Sequence, residues 1–129
     1  MTTARHPRSP ELQDTPIDEI AQKYVRRFGD IEADWEAFED AKIDGFRRAQ
    51  HRFIGGGGSG KHDDPDVIKG GAFTLSIMFV NPGEGNAAHT HEVEEVFFVL
   101  KRHLKVFFEE DGTGRKARHL VEILRDALV

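Results

Sequence analysis

The chain has 129 residues, enough for one domain with its own core and too few for two ordinary domains. Its 18 basic and 23 acidic residues give a net charge of −5, and the basic residues lack the clustering that a nucleic-acid surface requires. There is no cysteine, which excludes disulfides, zinc–thiolate sites and cysteine nucleophiles. Any metal must therefore be held by His, Asp, Glu or water, and nucleic acid is not an expected partner.

The N-terminal part is predicted to be a polar lead-in followed by helices. Residues 1–15 are polar and proline-containing, which is typical of disorder. From Thr15-Pro16 onward, apolar residues recur at helical spacing until Gly29, which predicts an amphipathic helix. Residues 30–50 keep a looser helical spacing, so the whole of 16–50 is predicted as an N-terminal helical segment.

No stretch of the sequence approaches the roughly 18 apolar residues that cross a bilayer, and no apolar leader precedes the first helix. We therefore expect a cytoplasmic protein without a membrane partner.

A glycine-rich loop is predicted over residues 51–71. Its GGGGSGK stretch, residues 55–61, matches part of a phosphate-binding loop. However, His62 stands where a Ser or Thr should reach magnesium, and the acids that follow would repel phosphate. The stretch is interpreted as a flexible loop, and no nucleotide site is predicted.

The pattern changes to that of strands after Gly71. Three strands are expected, at 72–80, about 88–100 and 103–110. The turn residues NPGEGN, 81–86, separate the first strand from the second. EDGTG, residues 110–114, predicts a hairpin turn. Residues 115–129 are compatible with either a helix or a strand, because their apolar spacing is helical but their place after a hairpin suits a strand.

His89, His91 and Glu95 stand at the start of the apolar run VFFVL. All three are odd-numbered, so a strand would direct them to one face, and a slight bend would bring Glu95 to the same ion as the histidines. Two imidazoles and a carboxylate, with positions left open for water or substrate, suit a divalent transition metal such as Fe, Mn, Ni or Zn. These three residues are the predicted metal ligands, and no catalytic residue is assigned.

The stretch PGEGNAAHTHEVEEVFFVL resembles the first motif of the cupin superfamily, G(X)5HXH(X)3-4E(X)6G. Gly83 occupies the first glycine of that motif, and His89, His91 and Glu95 occupy its ligand positions. The resemblance covers about residues 68–114. It implies a mainly β fold, the double-stranded β-helix or jelly-roll barrel, with the metal inside and helices preceding it.

The sequence departs from the cupin pattern in two places. Arg102 replaces the glycine that closes the first motif, so the turn there is either rebuilt or strained. The second motif is absent, since no proline follows Gly114 and His119 lacks its surroundings. Residues 72–129 are therefore predicted to be a partial barrel in a single domain, with its second half lost by truncation or a change of reading frame. Alternatively, segments before residue 71 or a second protomer complete the sheet.

Three functions are compatible with these observations. The first is a metal-dependent cupin enzyme, such as a dioxygenase or isomerase, acting on a small organic molecule. The second is a non-catalytic cupin that binds a small ligand, and the third is an inactive fragment. Because an incomplete sheet exposes pairing edges, a homodimer is also expected.

Overall fold

The computed structural model describes residues 7–90, 92–110 and 117–123. Over these residues the chain forms one α-helix and four β-strands, joined by irregular segments and short 3₁₀ turns. Their bounds are α1 (Ile17–Tyr24), β1 (Arg48–Ile54), β2 (Leu75–Val80), β3 (Leu104–Glu110) and β4 (Ala117–Ile123).

The strands pair in two separate antiparallel hairpin-like sheets. β1 pairs with β2, with Arg48 opposite Val80 and Arg52 opposite Ser76, and a bulge follows Arg52. β3 pairs with β4, with Leu104 opposite Ile123. β1 comes from the part of the chain before residue 71, and it pairs with β2 without completing a barrel sheet.

The prediction of a jelly-roll barrel was wrong. Over the described residues the strands form two-stranded sheets, and neither sheet closes on itself. A jelly roll needs about eight strands in two sheets, and the described part of the chain supplies four. The described chain also has no strand in residues 92–103, where the barrel prediction required a central one.

The predicted elements agree with the structure in some segments and not in others. The strand predicted at 72–80 is confirmed over Leu75–Val80, and the one at 103–110 over Leu104–Glu110. The last segment was compatible with a helix or a strand, and Ala117–Ile123 is a strand. Each of its residues pairs with one of β3 in an antiparallel ladder. The EDGTG turn lies mostly outside the described residues.

The helix prediction is confirmed only in part. α1 starts directly after Pro16 but ends at Tyr24, because Val25 is extended, with φ −114° and ψ 127°. Leaving the helix here brings the Phe28 ring to β1, 4.7 Å from the His51 ring. The helix predicted over residues 30–50 was wrong, since the only helical residues there are Asp30, which ends the 3₁₀ turn Phe28–Asp30, and the 3₁₀ turn Asp40–Lys42.

β1 is the most buried strand, although its sequence RAQHRFI is mostly polar. Its first five residues, 48–52, are all buried, and Gln50 is only 1% exposed. Burial of such a strand is tolerated because its charged side chains are paired. Arg48 Nη2 donates to Asp40 Oδ1 at 2.8 Å, and Arg52 Nη1 donates to Asp34 Oδ2 at 2.6 Å.

The backbone at Arg102 has φ 73°, a left-handed conformation that residues other than glycine rarely adopt. The backbone at this residue is therefore strained, which is one of the two outcomes expected from an arginine at this position. In the described part of the chain, no helix is both long enough and apolar enough to cross a membrane.

Candidate metal centre

His89 lies in an irregular segment that follows the turn after β2. That turn is closed by the Glu84 amide, which donates to Asn81 O at 3.0 Å, and Gly83 in it has φ 83°. A positive φ is readily adopted by glycine, so the turn residues predicted from NPGEGN form the expected turn. The turn directs the chain back over β1 before it reaches His89.

A chain of hydrogen bonds connects buried β1 to the backbone just before His89. Arg48 donates to Asp40 Oδ1, and Asp40 Oδ2 accepts from the Ala87 amide at 2.9 Å. Arg48 also donates to Gly85 O at 3.4 Å. The backbone of residues 85–87 is therefore fixed to a buried strand rather than left to solvent.

The carboxylate of Asp40 is held in its ionised form by this arrangement. Burial alone would raise the pKa of Asp40, but hydrogen bonds from Arg48 and from the Ala87 amide outweigh it and lower the pKa below its ordinary value. An ionised Asp40 accepts both hydrogen bonds at neutral pH. Its link to the Ala87 amide spans 47 positions of sequence, and no motif or periodicity indicates such a contact.

The imidazole of His89 contacts the anchored backbone. Nδ1 lies 2.9 Å from Ala87 O and 3.4 Å from Asn86 Nδ2. A carbonyl oxygen only accepts, so the shorter contact is a hydrogen bond in the tautomer that carries its proton on Nδ1 and its lone pair on Nε2, whereas the Asn86 amide nitrogen is a donor and can bond only to the other tautomer. A hydrogen bond from one ring nitrogen to a backbone carbonyl is the usual way in which a metal-binding histidine is oriented.

The described structure does not test whether the other two predicted ligands converge on His89. Glu95 is exposed in a segment without a strand, so strand parity no longer places its carboxylate on the face of His89. His91 lies outside the described residues. Within the described residues, no three His, Asp or Glu side chains are grouped so that they could hold an ion. The three-ligand set therefore stays a prediction.

A second group of charged side chains, which we term the ion network, lies farther along β1, around Arg52. It joins Arg52, Asp34, Lys61 and Asp64. Asp34 Oδ2 accepts from Arg52 at 2.6 Å and from Lys61 Nζ at 2.5 Å, while Arg52 Nη2 donates to Asp64 at 3.1 Å.

The ion network explains how the glycine-rich loop is held. Lys61, the lysine of GGGGSGK, binds a carboxylate of this chain. Burial alone would raise the pKa of Asp34, but hydrogen bonds from Lys61, Arg52 and the Glu36 amide lower it to about 2. The positive charges of Arg52 and Lys61 balance the negative charges of Asp34 and Asp64. The network therefore has a structural role, which is to join the loop to β1.

Comparison with known proteins gave no matching family model, no matching curated protein and no matching solved structure. The function is therefore argued from the residues of this chain.

Proposed function

We propose that the protein binds a divalent transition metal, Fe, Mn, Ni or Zn, through His89, His91 and Glu95, and that the bound ion holds a small organic molecule. The observation that carries the proposal is the 2.9 Å contact of His89 Nδ1 with Ala87 O. In the tautomer that forms this hydrogen bond, Nε2 is the basic nitrogen, the form in which imidazole binds metal. The likeness of residues 83–100 to the first cupin motif supplies the other two ligands of the proposal.

The chain's own contribution is to orient His89 before a metal arrives. Arg48 and Asp40 fix the Ala87 peptide, and the Ala87 carbonyl orients the imidazole. Part of the conformational entropy that metal binding would otherwise remove from His89 is therefore lost already on folding. A bound ion would supply Lewis-acid polarisation of an oxygen on the small molecule. The exposure of His89 and Glu95 is compatible with positions kept for solvent or ligand.

The test of the metal site is metal analysis of protein prepared without an affinity tag, followed by titration with Ni(II) and Zn(II). We expect near-stoichiometric metal in the parent protein and at least a tenfold weaker affinity in His89→Asn and His91→Ala. His103→Asn, which alters another exposed histidine, is the matched control and should bind as the parent does. Equal affinity in all four proteins would refute the proposal.

The role of the anchored backbone has its own test. Asp40→Ala removes the acceptor of the Ala87 amide and should weaken metal binding about tenfold, the lower end of the effect of second-sphere partners. Nitrogen-15 NMR of the imidazole rings should show His89 protonated on Nδ1 in the metal-free parent. A His89 ring protonated mainly on Nε2 would remove the observation on which the proposal rests.

Turnover is tested separately from binding. Oxygen uptake by the metal-loaded protein with catechols or diketones would identify a dioxygenase-like reaction, and its dependence on His89 would connect the reaction to the site. A metal-loaded protein that binds such molecules without consuming oxygen would instead be a non-catalytic small-ligand protein. A cytoplasmic location stays a prediction.

A further inference from the structure

Glu84 connects the turn after β2 to the start of β1. Its amide closes the turn by donating to Asn81 O at 3.0 Å, and its carboxylate oxygen Oε2 accepts from the Arg47 amide at 2.9 Å. Glu84 and Arg47 lie 37 positions apart in the sequence, so only the folded chain brings them together. This contact fixes the backbone a few residues before His89, outside the predicted set of metal ligands.

The Glu84 carboxylate takes the place of a backbone carbonyl at the end of the β1–β2 ladder. The ladder ends with Arg48 opposite Val80, and its register continued by one residue would pair Arg47 with Asn81. The chain turns at this point, and Asn81 O accepts from the Glu84 amide instead. Glu84 Oε2 therefore provides the acceptor for the Arg47 amide. A hydrogen bond from an amide to a carboxylate is stronger than one to a neutral acceptor.

The residue that follows Glu84 is held to the same part of the chain. The Gly85 amide donates to Gly45 O at 3.1 Å, and Gly85 O accepts from Arg48 Nη1 at 3.4 Å. We term residues 84–87 the strap. Glu84 and Gly85 therefore attach the strap, at two consecutive residues, to the chain that leads into β1.

The strap passes from the interior to solvent before the chain reaches His89. Gly85 is buried, Ala87 is half-buried and His89 is exposed. At the outer end of the strap, Asp40 holds the Ala87 amide, and the Ala87 carbonyl contacts the imidazole of His89. Groups in one hydrogen-bond network are energetically coupled, so loss of the inner attachment should loosen the outer one.

We propose that Glu84 is a positioning residue for His89. Its carboxylate attaches the strap to β1, and the strap sets the position of the Ala87 carbonyl that orients the imidazole. Groups that hydrogen-bond to a metal ligand change metal affinity by about 10- to 100-fold, and Glu84 acts on His89 only through the strap, so a smaller change of about threefold is expected. The effect on affinity rests on the proposed metal site, whereas the effect on the His89 ring does not.

Hydrogen exchange of the backbone amides tests the contact itself. Glu84→Leu removes the acceptor and keeps a side chain of similar size, so the Arg47 amide should exchange about tenfold faster. Glu84→Gln keeps a carbonyl oxygen at the same position and should restore most of the protection. Glu39→Leu is the matched control, because Glu39 is an exposed acid that pairs with Lys42, and it should leave the exchange of the Arg47 amide unchanged.

Nitrogen-15 NMR of the His89 ring, in metal-free protein that contains EDTA, tests the positioning. Glu84→Leu should lower the ratio of the Nδ1-protonated tautomer, which bonds to Ala87 O, to the Nε2-protonated tautomer by about threefold. Glu84→Gln should restore the ratio of the parent, and Glu39→Leu should not change it. Restoration by glutamine separates the positioning of His89 from a general loss of stability.

Titration with Ni(II) measures the consequence for the proposed metal site. The dissociation constant should rise about threefold in Glu84→Leu and stay at the parent value in Glu84→Gln. Asp40→Ala combined with Glu84→Leu should bind about as weakly as Asp40→Ala alone, because both residues act through the strap. If the parent binds no metal, the proposed metal site fails, and the exchange and NMR measurements still decide the role of Glu84.

Three outcomes would overturn the inference. The first is an Arg47 amide that exchanges equally fast in the parent and in Glu84→Leu, since the contact would then be absent. The second is a tautomer ratio of His89 that Glu84→Leu leaves unchanged. The third is a ratio that changes as much in Glu39→Leu or in Glu84→Gln, which would show that the acceptor at position 84 does not orient the ring.

Discussion

β1 and residues 93–100, the apolar segment, differ in burial, and the difference is the reverse of what their composition predicts. β1 carries two arginines, a glutamine and a histidine and is buried, whereas the apolar segment carries valines and phenylalanines and is exposed. β1 is buried because β2 provides its ladder and acids elsewhere in the chain neutralise its arginines. Burial here follows the available partners rather than hydropathy, and four changes test that conclusion.

The largest effect is expected from Asp34→Ala. This change removes the carboxylate shared by Arg52 and Lys61 and leaves the buried Arg52 guanidinium short of one anion. Breaking a buried pair in this way costs about 3 kcal/mol of unfolding free energy. Asp44→Ala, at an exposed pair with Arg47, should cost less than about 0.5 kcal/mol. Urea unfolding of both variants measures the contrast, and equal losses would show that pairing does not account for the burial of β1.

Acid should remove much of the same stabilisation. The folded-state pKa of Asp34 is about 2, below its ordinary value of 3.8, so its contribution is fully present above the ordinary pKa. It is lost as the pH falls from about 4 to 2 and amounts to about 2 kcal/mol by linkage. Unfolding free energies of the parent at pH 5, 4, 3 and 2 measure this loss. Asp34→Asn should show a shallower decline, and the same decline in both proteins would contradict the assignment.

A smaller effect is expected where the glycine-rich loop packs. A Cβ on Gly56 would lie 2.7 Å from Lys61 O and 3.0 Å from His62 Nδ1. Gly56→Ala should therefore cost about 1–2 kcal/mol through overpacking, measured by thermal or urea unfolding. Gly29 has no atom within 4 Å of an added Cβ, so Gly29→Ala is the control and should stay within about 0.5 kcal/mol of the parent. If Gly56→Ala leaves the unfolding free energy unchanged, the loop is not packed at this position as described.

The smallest effect is expected in the apolar segment. Val96→Ser replaces a side chain that is almost wholly exposed in the monomer. In protein dilute enough to be monomeric, the unfolding free energy should change by less than about 0.5 kcal/mol, the range of ordinary surface substitutions. A loss above 1 kcal/mol under those conditions would show that the segment is buried within the monomer, and it would remove the contrast with β1.

The sequence predicts those elements of the fold whose apolar residues repeat regularly. AFTLSIMFV and HLKVFFEE contain β2 and β3, and the helical spacing after Pro16 marks α1. RAQHRFI has no such pattern, because β1 owes its burial to Asp34 and Asp40, which pair with Arg52 and Arg48 at separations of 18 and 8 residues. Rules that use the spacing of apolar residues do not detect ion pairs of this kind.

The sequence suggests the ligands of the candidate site, which stay a prediction, and it does not indicate the contacts that hold the backbone beside His89. The H-x-H pair identifies His89, but the anchoring of its neighbour Ala87 by Asp40 depends on folding across 47 positions. The predicted strand at 88–100 failed for a related reason. VFFVL has strand propensity, yet a strand needs an adjacent ladder, and the described residues of this chain offer it none.

The left-handed turn at Arg102 has a consequence for proteases. Arg102 and its neighbour Lys101 are both exposed, and they lie in an irregular bend before β3 rather than in a ladder. Trypsin cleaves after exposed basic residues in irregular segments, so this bend is one of the accessible cleavage points of the chain. Arg48 and Arg52 are shielded within β1. Brief digestion should therefore give, among its products, N-terminal fragments that end at residue 101 or 102.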